Sequence, residues 1–129
     1  EVAGVDAIVI PARGSVSVNA DAIKTSAGAL YSIPVCRENN LKETIVFLKN
    51  SGIKVVAATE KAASYYTETD LSVPVAIVMG SEDTGVATDH LRICDELVRI
   101  PQFGTIQSLN VSVAAGVLIY EVIRQRKVI

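Results

Sequence analysis

Pro74-Val-Ala-Ile-Val-Met-Gly-Ser-Glu-Asp-Thr-Gly85 is an unbroken apolar run that passes directly into a polar turn bounded by glycines. An apolar run of this length with β-branched residues and turn signals at its ends reads as a strand covered on both faces, the kind that builds parallel sheets. Open α/β sheets bind ligands beyond the carboxyl ends of their strands, which makes the turn after Met79 the first candidate site. Gly80 and Gly85 would let backbone approach a ligand closely. Glu82 and Asp83 place carboxylates there and disfavour a phosphate cradle, and a P-loop would need Lys where Val86 stands. Standing alone, the segment is read more simply as a solvated turn whose glycines satisfy backbone dihedrals.

Working outward, Val5 to Pro11 is a β-branched run closed by Pro and reads as a buried strand. Asn19 to Leu30 is Ala-rich with polar residues at its start, as in a short helix, and Ile33 to Cys36 has the length of a brief strand. Asn40 to Glu43 has the form of a capping box. The helix it opens should turn Leu41, Ile45, Leu48 and Val46 to one face and stop at Gly52 in the left-handed conformation. Ile53 to Ala58 is the next strand, the polar stretch Thr59 to Asp70 a connecting loop, and Val98 to Ile100 a last strand before Pro101. A short helix is expected over Thr88 to Ile93. Asn110 to Lys127 carries Val111, Ala114, Ala115, Leu118, Ile119, Val122 and Ile123 as a helical stripe. Strand, helix and strand joined by short turns predict right-handed βαβ units. The fold class is therefore α/β, a mostly parallel sheet flanked by helices, organised as one domain over residues 1–129.

Bulk properties narrow the function. Hydrophobic residues make up 50% of the chain and charged ones 20%, enough for a sizeable core. A formal net charge of -2 and a pI near 5.4 argue against holding nucleic acid by overall electrostatics. No apolar run is long enough to span a bilayer and no signal peptide precedes the first strand, so the cytoplasm is expected. Cys36 and Cys94 lack metal-ligand spacing or a disulfide framework and read as buried thiols. His90 has no partner ligands, so no metal site is expected. The chain starts at Glu1, not Met, as a piece of a longer protein would.

The second candidate is the polar loop Ile100 to Asn110, long enough to need a reason. Ser108 and Asn110 stand at the start of the last helix, where capping free amides is the simplest role for either. This loop and the Gly80–Gly85 turn follow sequential strands and are positioned to converge. VMGSEDTGV (Val78–Val86) and IPQFGTIQSLNVSVAAGVLIYE (Ile100–Glu121) resemble motifs 2 and 3 of the SpoU-type, TrmH-like RNA ribose 2′-O-methyltransferases of the SPOUT superfamily. CDELVRIP (Cys94–Pro101), GVDAIVIP (Gly4–Pro11) and SAGAL (Ser26–Leu30) are similar to the same family. The likeness therefore covers nearly the whole chain, and its nearest flavour is the ribosomal RNA guanosine branch.

The resemblance implies a deep C-terminal trefoil knot and S-adenosylmethionine bent within it. Backbone groups at Gly80, Ile100 and Leu109 would hold its adenine, with Thr59 adding a wall. It also implies Glu82, Ser108 and Asn110 as the catalytic polar residues, Glu82 and Asn110 orienting a catalytic Arg or the RNA backbone. That Arg belongs to motif 1, Asn-x-Gly-x-x-x-Arg, which would precede Gly4 and does not occur in these residues; Arg13 reads instead as a surface or RNA-contacting residue. On this reading the chain alone binds cofactor poorly and catalyses little. RNA is the implied partner, ribosomal ahead of transfer RNA, with a homodimer built partly through the last helix. Arg124, Arg126 and Lys127 read as a charge pattern that favours a helix C-terminus. Tyr65-Tyr66 suits stacking on a base or packing of the loop. Two other classes stay open: a catalytically silent knotted module that binds RNA or assists assembly, and, last, a generic nucleotide-binding domain.

Overall fold

The computed structural model describes residues 3–12, 33–81, 84–105 and 109–127. The helix expected over Asn19–Leu30, and the residues Arg13, Glu82, Asp83 and Ser108, lie outside them. The chain divides into two compact units, Glu1–Thr44 and Ile45–Ile129.

In the first unit β1 (Ile8–Pro11) pairs in parallel with β2 (Val35–Glu38), Ile8 opposite Val35 and Pro11 opposite Glu38. β1 is shorter than the apolar run that announces it, and Ile8 and Val9 are 36% and 40% exposed, so the expectation of a buried strand is corrected here. Cys36 is likewise exposed on β2 and Cys94 is half-buried, which corrects the reading of two buried thiols. In β2 Cys36, Arg37 and Glu38 are exposed in succession, so both faces of the strand meet solvent there and a thiol is exposed whatever its hydrophobicity. Helix α1 (Leu41–Asn50) follows with its expected cap, the Glu43 amide donating to Asn40 Oδ1 at 3.2 Å.

The second unit takes over within α1. Ile45 is buried on this helix, while Val46, one residue on, is 43% exposed; a 100° step carries it off the face assigned to it. Gly52 ends the helix at φ 84, with its amide bonded to Lys49 O and that of Ile53 to Leu48 O. Only glycine takes this left-handed conformation without strain. Next come β3 (Lys54–Ala58), β4 (Ser64–Tyr65), β5 (Val75–Val78), α2 (Thr88–Ile93), β6 (Glu96–Arg99) and α3 (Val111–Arg126). The four strands lie in the order β4-β6-β3-β5 and every pair is parallel. β4 interrupts what sequence presents as a plain loop. Its two residues are held by pairing with Val98 and Arg99, a long-range contact that no local pattern announces.

Val56, Leu71, Val98, Leu118 and Val122 form the core that joins α3 to the sheet, with Val75, Ile77, Met79 and Ile100 packed around it. Burying each of these side chains stabilises by about 1.5–3 kcal/mol. Polar contacts fix the C-terminal end of α3. Glu121 is only 6% exposed, and Arg124 donates to its two oxygens at 2.7 and 2.8 Å. Those hydrogen bonds hold the Glu121 carboxyl below its ordinary value, against the opposing pull of burial. Gln125 donates to Glu121 at 2.8 Å and to Thr69 O at 3.0 Å, and accepts from the Leu71 amide at 2.6 Å. Arg126 donates to Val73 O at 2.9 Å. Arg124 and Arg126 thus act through named partners as well as through the helix dipole. Among the described residues no helix is long and apolar enough to cross a membrane.

Candidate active site

Because β3, β5 and β6 run parallel, their carboxyl ends share one edge of the sheet, and the segments leaving them meet there. Thr59 leaves β3 with its amide bonded to Val98 O at 2.9 Å. Its hydroxyl accepts from the Lys61 amide at 3.2 Å, so a β-branched residue that suits a strand also closes the turn after it. Gly80 leaves β5 and opens a turn that closes on itself. Ser81 and Gly85 bridge, Gly85 N–H donating to Ser81 O at 2.9 Å, and the Ser81 and Thr84 hydroxyls lie 2.8 Å apart. Ile100 leaves β6. Leu109 precedes α3, whose first turn brings Val111 and Ala114 to the same place.

These segments enclose a cleft of about 670 Å³, and Thr59, Gly80, Ile100 and Leu109 all line it. Sequence separations of up to fifty residues thus close into one wall, as the convergence of the two loops requires. Gly80 also has a reason inside the turn. A Cβ there would collide with the backbone of Gly85 and Val86, so the missing side chain lets the turn fold back on itself, whatever approaches from outside. Gly85, at φ 69, supplies the left-handed residue of the same turn.

Asn110 is the N-cap of α3, its Oδ1 accepting from the Ser112 amide at 2.8 Å, and it stands between the lining residues Leu109 and Val111. The capping role weighed for it is therefore present. Glu82 and Ser108 fall outside the described residues. Among the described residues no cluster of His, Cys, Asp and Glu is placed to hold a metal ion.

The lining mixes two chemistries: Met79, Val86, Ile100, Leu109, Val111 and Ala114 are apolar, while Glu60, Lys61 and Arg99 carry charge. The Arg99 guanidinium lies 4.9 Å from the centre of the Tyr65 ring, near enough for cation–π attraction. Arg99 and Lys61 belong to this cleft and escaped sequence reasoning. The one local signal was Arg99 standing immediately before Ile100-Pro101 at a strand end.

A profile described as the SpoU rRNA Methylase family matches residues 1–120. A 23S rRNA (guanosine-2′-O-)-methyltransferase RlmB from Photorhabdus laumondii is 41% identical over 126 residues, covering 98% of this chain and 52% of its own. The chain spans about half the length of the curated relatives it matches. A crystal structure of an RNA 2′-O ribose methyltransferase superposes with a TM-score of 0.86 at 35% identity, covering 97% of this chain and 48% of its own. The SpoU methyltransferase AviRb from Streptomyces viridochromogenes, in complex with AdoMet, superposes with a TM-score of 0.88 at 25% identity over 97% of this chain and 49% of its own. With its parallel α/β architecture and a profile match over nearly its whole length, the chain belongs to the SpoU rRNA methylase family.

Proposed function

We propose that residues 1–129 form a catalytic domain for S-adenosylmethionine-dependent 2′-O-methylation of an RNA ribose, with ribosomal RNA guanosine favoured over transfer RNA. The observation that carries this reading is a cleft uniting Thr59, Gly80, Ile100 and Leu109 at the carboxyl edge of the parallel sheet. Relatives named as guanosine-2′-O-methyltransferases of 23S rRNA favour the ribosomal substrate.

The cleft fits the cofactor in size and chemistry. About 670 Å³ lies within the usual range for small-molecule sites, and the apolar residues of the lining suit a flat adenine. Main-chain groups at Thr59, Gly80, Ile100 and Leu109 would hold it. When bound, the cofactor supplies an electrophilic methyl on a sulfonium. The chain's own task is to align a ribose 2′-oxygen with that methyl and to remove the hydroxyl proton as the new carbon–oxygen bond forms. Glu82, Ser108 and Asn110 are the polar residues assigned to the alignment, Glu82 and Asn110 orienting a catalytic Arg or the RNA backbone, and none of the three is itself an obvious base for the proton.

The C-terminal trefoil knot is part of the same reading and draws support from strand order. Val98 O accepts from the Thr59 amide and Arg99 O from the Tyr66 amide, so the last strand lies between two arms of a segment laid down earlier. A homodimer through α3 draws support from Val113 and Tyr120, seven positions apart on one helix face and 53% and 52% exposed. An RNA substrate makes the cytoplasm the expected location.

Calorimetric titration with S-adenosylhomocysteine tests the site. The reading predicts binding that Ala114→Phe, which fills the cleft from α3, abolishes without changing the circular dichroism spectrum. Methyl-labelled cofactor tests the reaction, because a methylated 2′-oxygen protects the adjacent phosphodiester from alkali. Label in alkali-resistant dinucleotides supports ribose methylation. On a longer chain that supplies the motif 1 Arg, cofactor binding without any transfer to RNA would favour the silent module, and absence of binding would remove the site.

A further inference from the structure

We propose that Arg99, braced on Tyr65 and seconded by Lys61, contacts the phosphate backbone of the RNA and fixes the target nucleotide over the cleft. This rests on reading the cleft as a methyl-transfer site. Arg99 ends β6 and lines the cleft together with the next residue, Ile100. Its residue is exposed, so the charge is open to solvent at the cleft.

Among the described residues no carboxylate neutralises this charge. Lys49, Lys54, Arg92 and Arg124 each have a carboxylate within 4 Å, whereas among the described residues neither Arg99 nor Lys61 has one. Both of these cations line the cleft, where Glu60 is the opposing charge among the described residues. The Tyr65 ring, 4.9 Å from the guanidinium carbon, restrains the side chain and covers part of its surroundings, leaving in-plane N–H groups to donate. A planar fork of donors whose freedom is already reduced suits the paired oxygens of a phosphate. The overall charge of -2 sharpens the point, because this chain cannot gather RNA by bulk attraction and needs local cations where the substrate must sit.

Anisotropy titrations of a fluorescein-labelled single-stranded RNA over a series of KCl concentrations test the contact. Arg99→Gln should weaken binding about tenfold. It should also flatten the log–log salt dependence by about 0.7, the share of one phosphate on a single strand. Arg99→Lys should keep the wild-type slope with part of the affinity lost, and Tyr65→Leu should weaken binding with the slope intact, both variants retaining the native circular dichroism spectrum. S-adenosylhomocysteine titrations run in parallel separate the two ideas. If the unaltered chain does not take up the nucleoside, the reading of the cleft fails by itself. The phosphate contact fails if the unaltered chain does not bind RNA, or if Arg99→Gln matches it in RNA affinity and slope. It fails equally if Arg99→Gln loses the nucleoside alone, since the guanidinium then serves the cofactor's carboxylate.

Discussion

The two ends of α3 are built on different principles. At the C-terminal end a half-buried network of Glu121, Arg124, Gln125 and Arg126 ties the helix to the segment from Thr69 to Val73, and Leu118 and Val122 press into the core beside it. At the N-terminal end Asn110 caps the first turn, while Val111 and Ala114 face a cleft in place of a packed interior. One helix thus carries an anchored end and an end that borders an open cleft. Helices transmit position well because interiors are close-packed, so anchoring one end holds the other without filling the space beside it.

Mutations should separate the ends by size of effect. Leu118→Ala, at a position 1% exposed in the core, should cost about 2–5 kcal/mol in chemical denaturation. Gln125→Ala removes the acceptor of the Leu71 amide and a donor to Thr69 O, and should cost about 1–3 kcal/mol in the same measurement. Asn110→Ala should cost only about 1 kcal/mol, the worth of a cap. If the account of the site holds, it should nonetheless reduce methyl transfer more than Gln125→Ala does. Equal stability losses at both ends would erase the distinction between anchor and site.

Acid sharpens the same contrast. Arg124 holds the Glu121 carboxyl below its ordinary value near 4.5, so the ion pair contributes stability above that pH and loses it as pH falls through the lower folded-state value. Glu96, held down by its hydrogen bond to Lys54, follows the same sign. Glu121→Gln should flatten the loss of thermal stability below pH 4.5 while leaving Glu96's share in place.

What sequence disclosed was what neighbours along the chain decide. The Asn40 cap, the left-handed Gly52, the helix over Thr88–Ile93 and the Asn110 start of α3 each depend on residues within one turn. The α/β class followed from apolar runs at Lys54–Ala58 and Val75–Val78. Contacts across the chain were hidden. β4 exists because Ser64 and Tyr65 find Val98 and Arg99, and Glu121 is buried because Arg124 and Gln125 satisfy it against a segment some fifty residues away. In the cleft, motif likeness named Thr59, Gly80, Ile100 and Leu109, which line it together, but not Arg99 or Lys61, nor the backbone of Gly85 and Val86 that leaves no room for a side chain at residue 80. Charge pairing and backbone collision are properties of three dimensions.

The central claim is that main-chain groups at the carboxyl edge of the sheet hold a sulfonium nucleoside. Amide chemical-shift mapping during titration with S-adenosylhomocysteine addresses it residue by residue and registers even weak binding. The account predicts the largest shifts at the amides of Thr59, Gly80, Ile100 and Leu109, with β1 and β2 undisturbed. Shifts centred on β1 and β2, or none at saturating nucleoside, would contradict it.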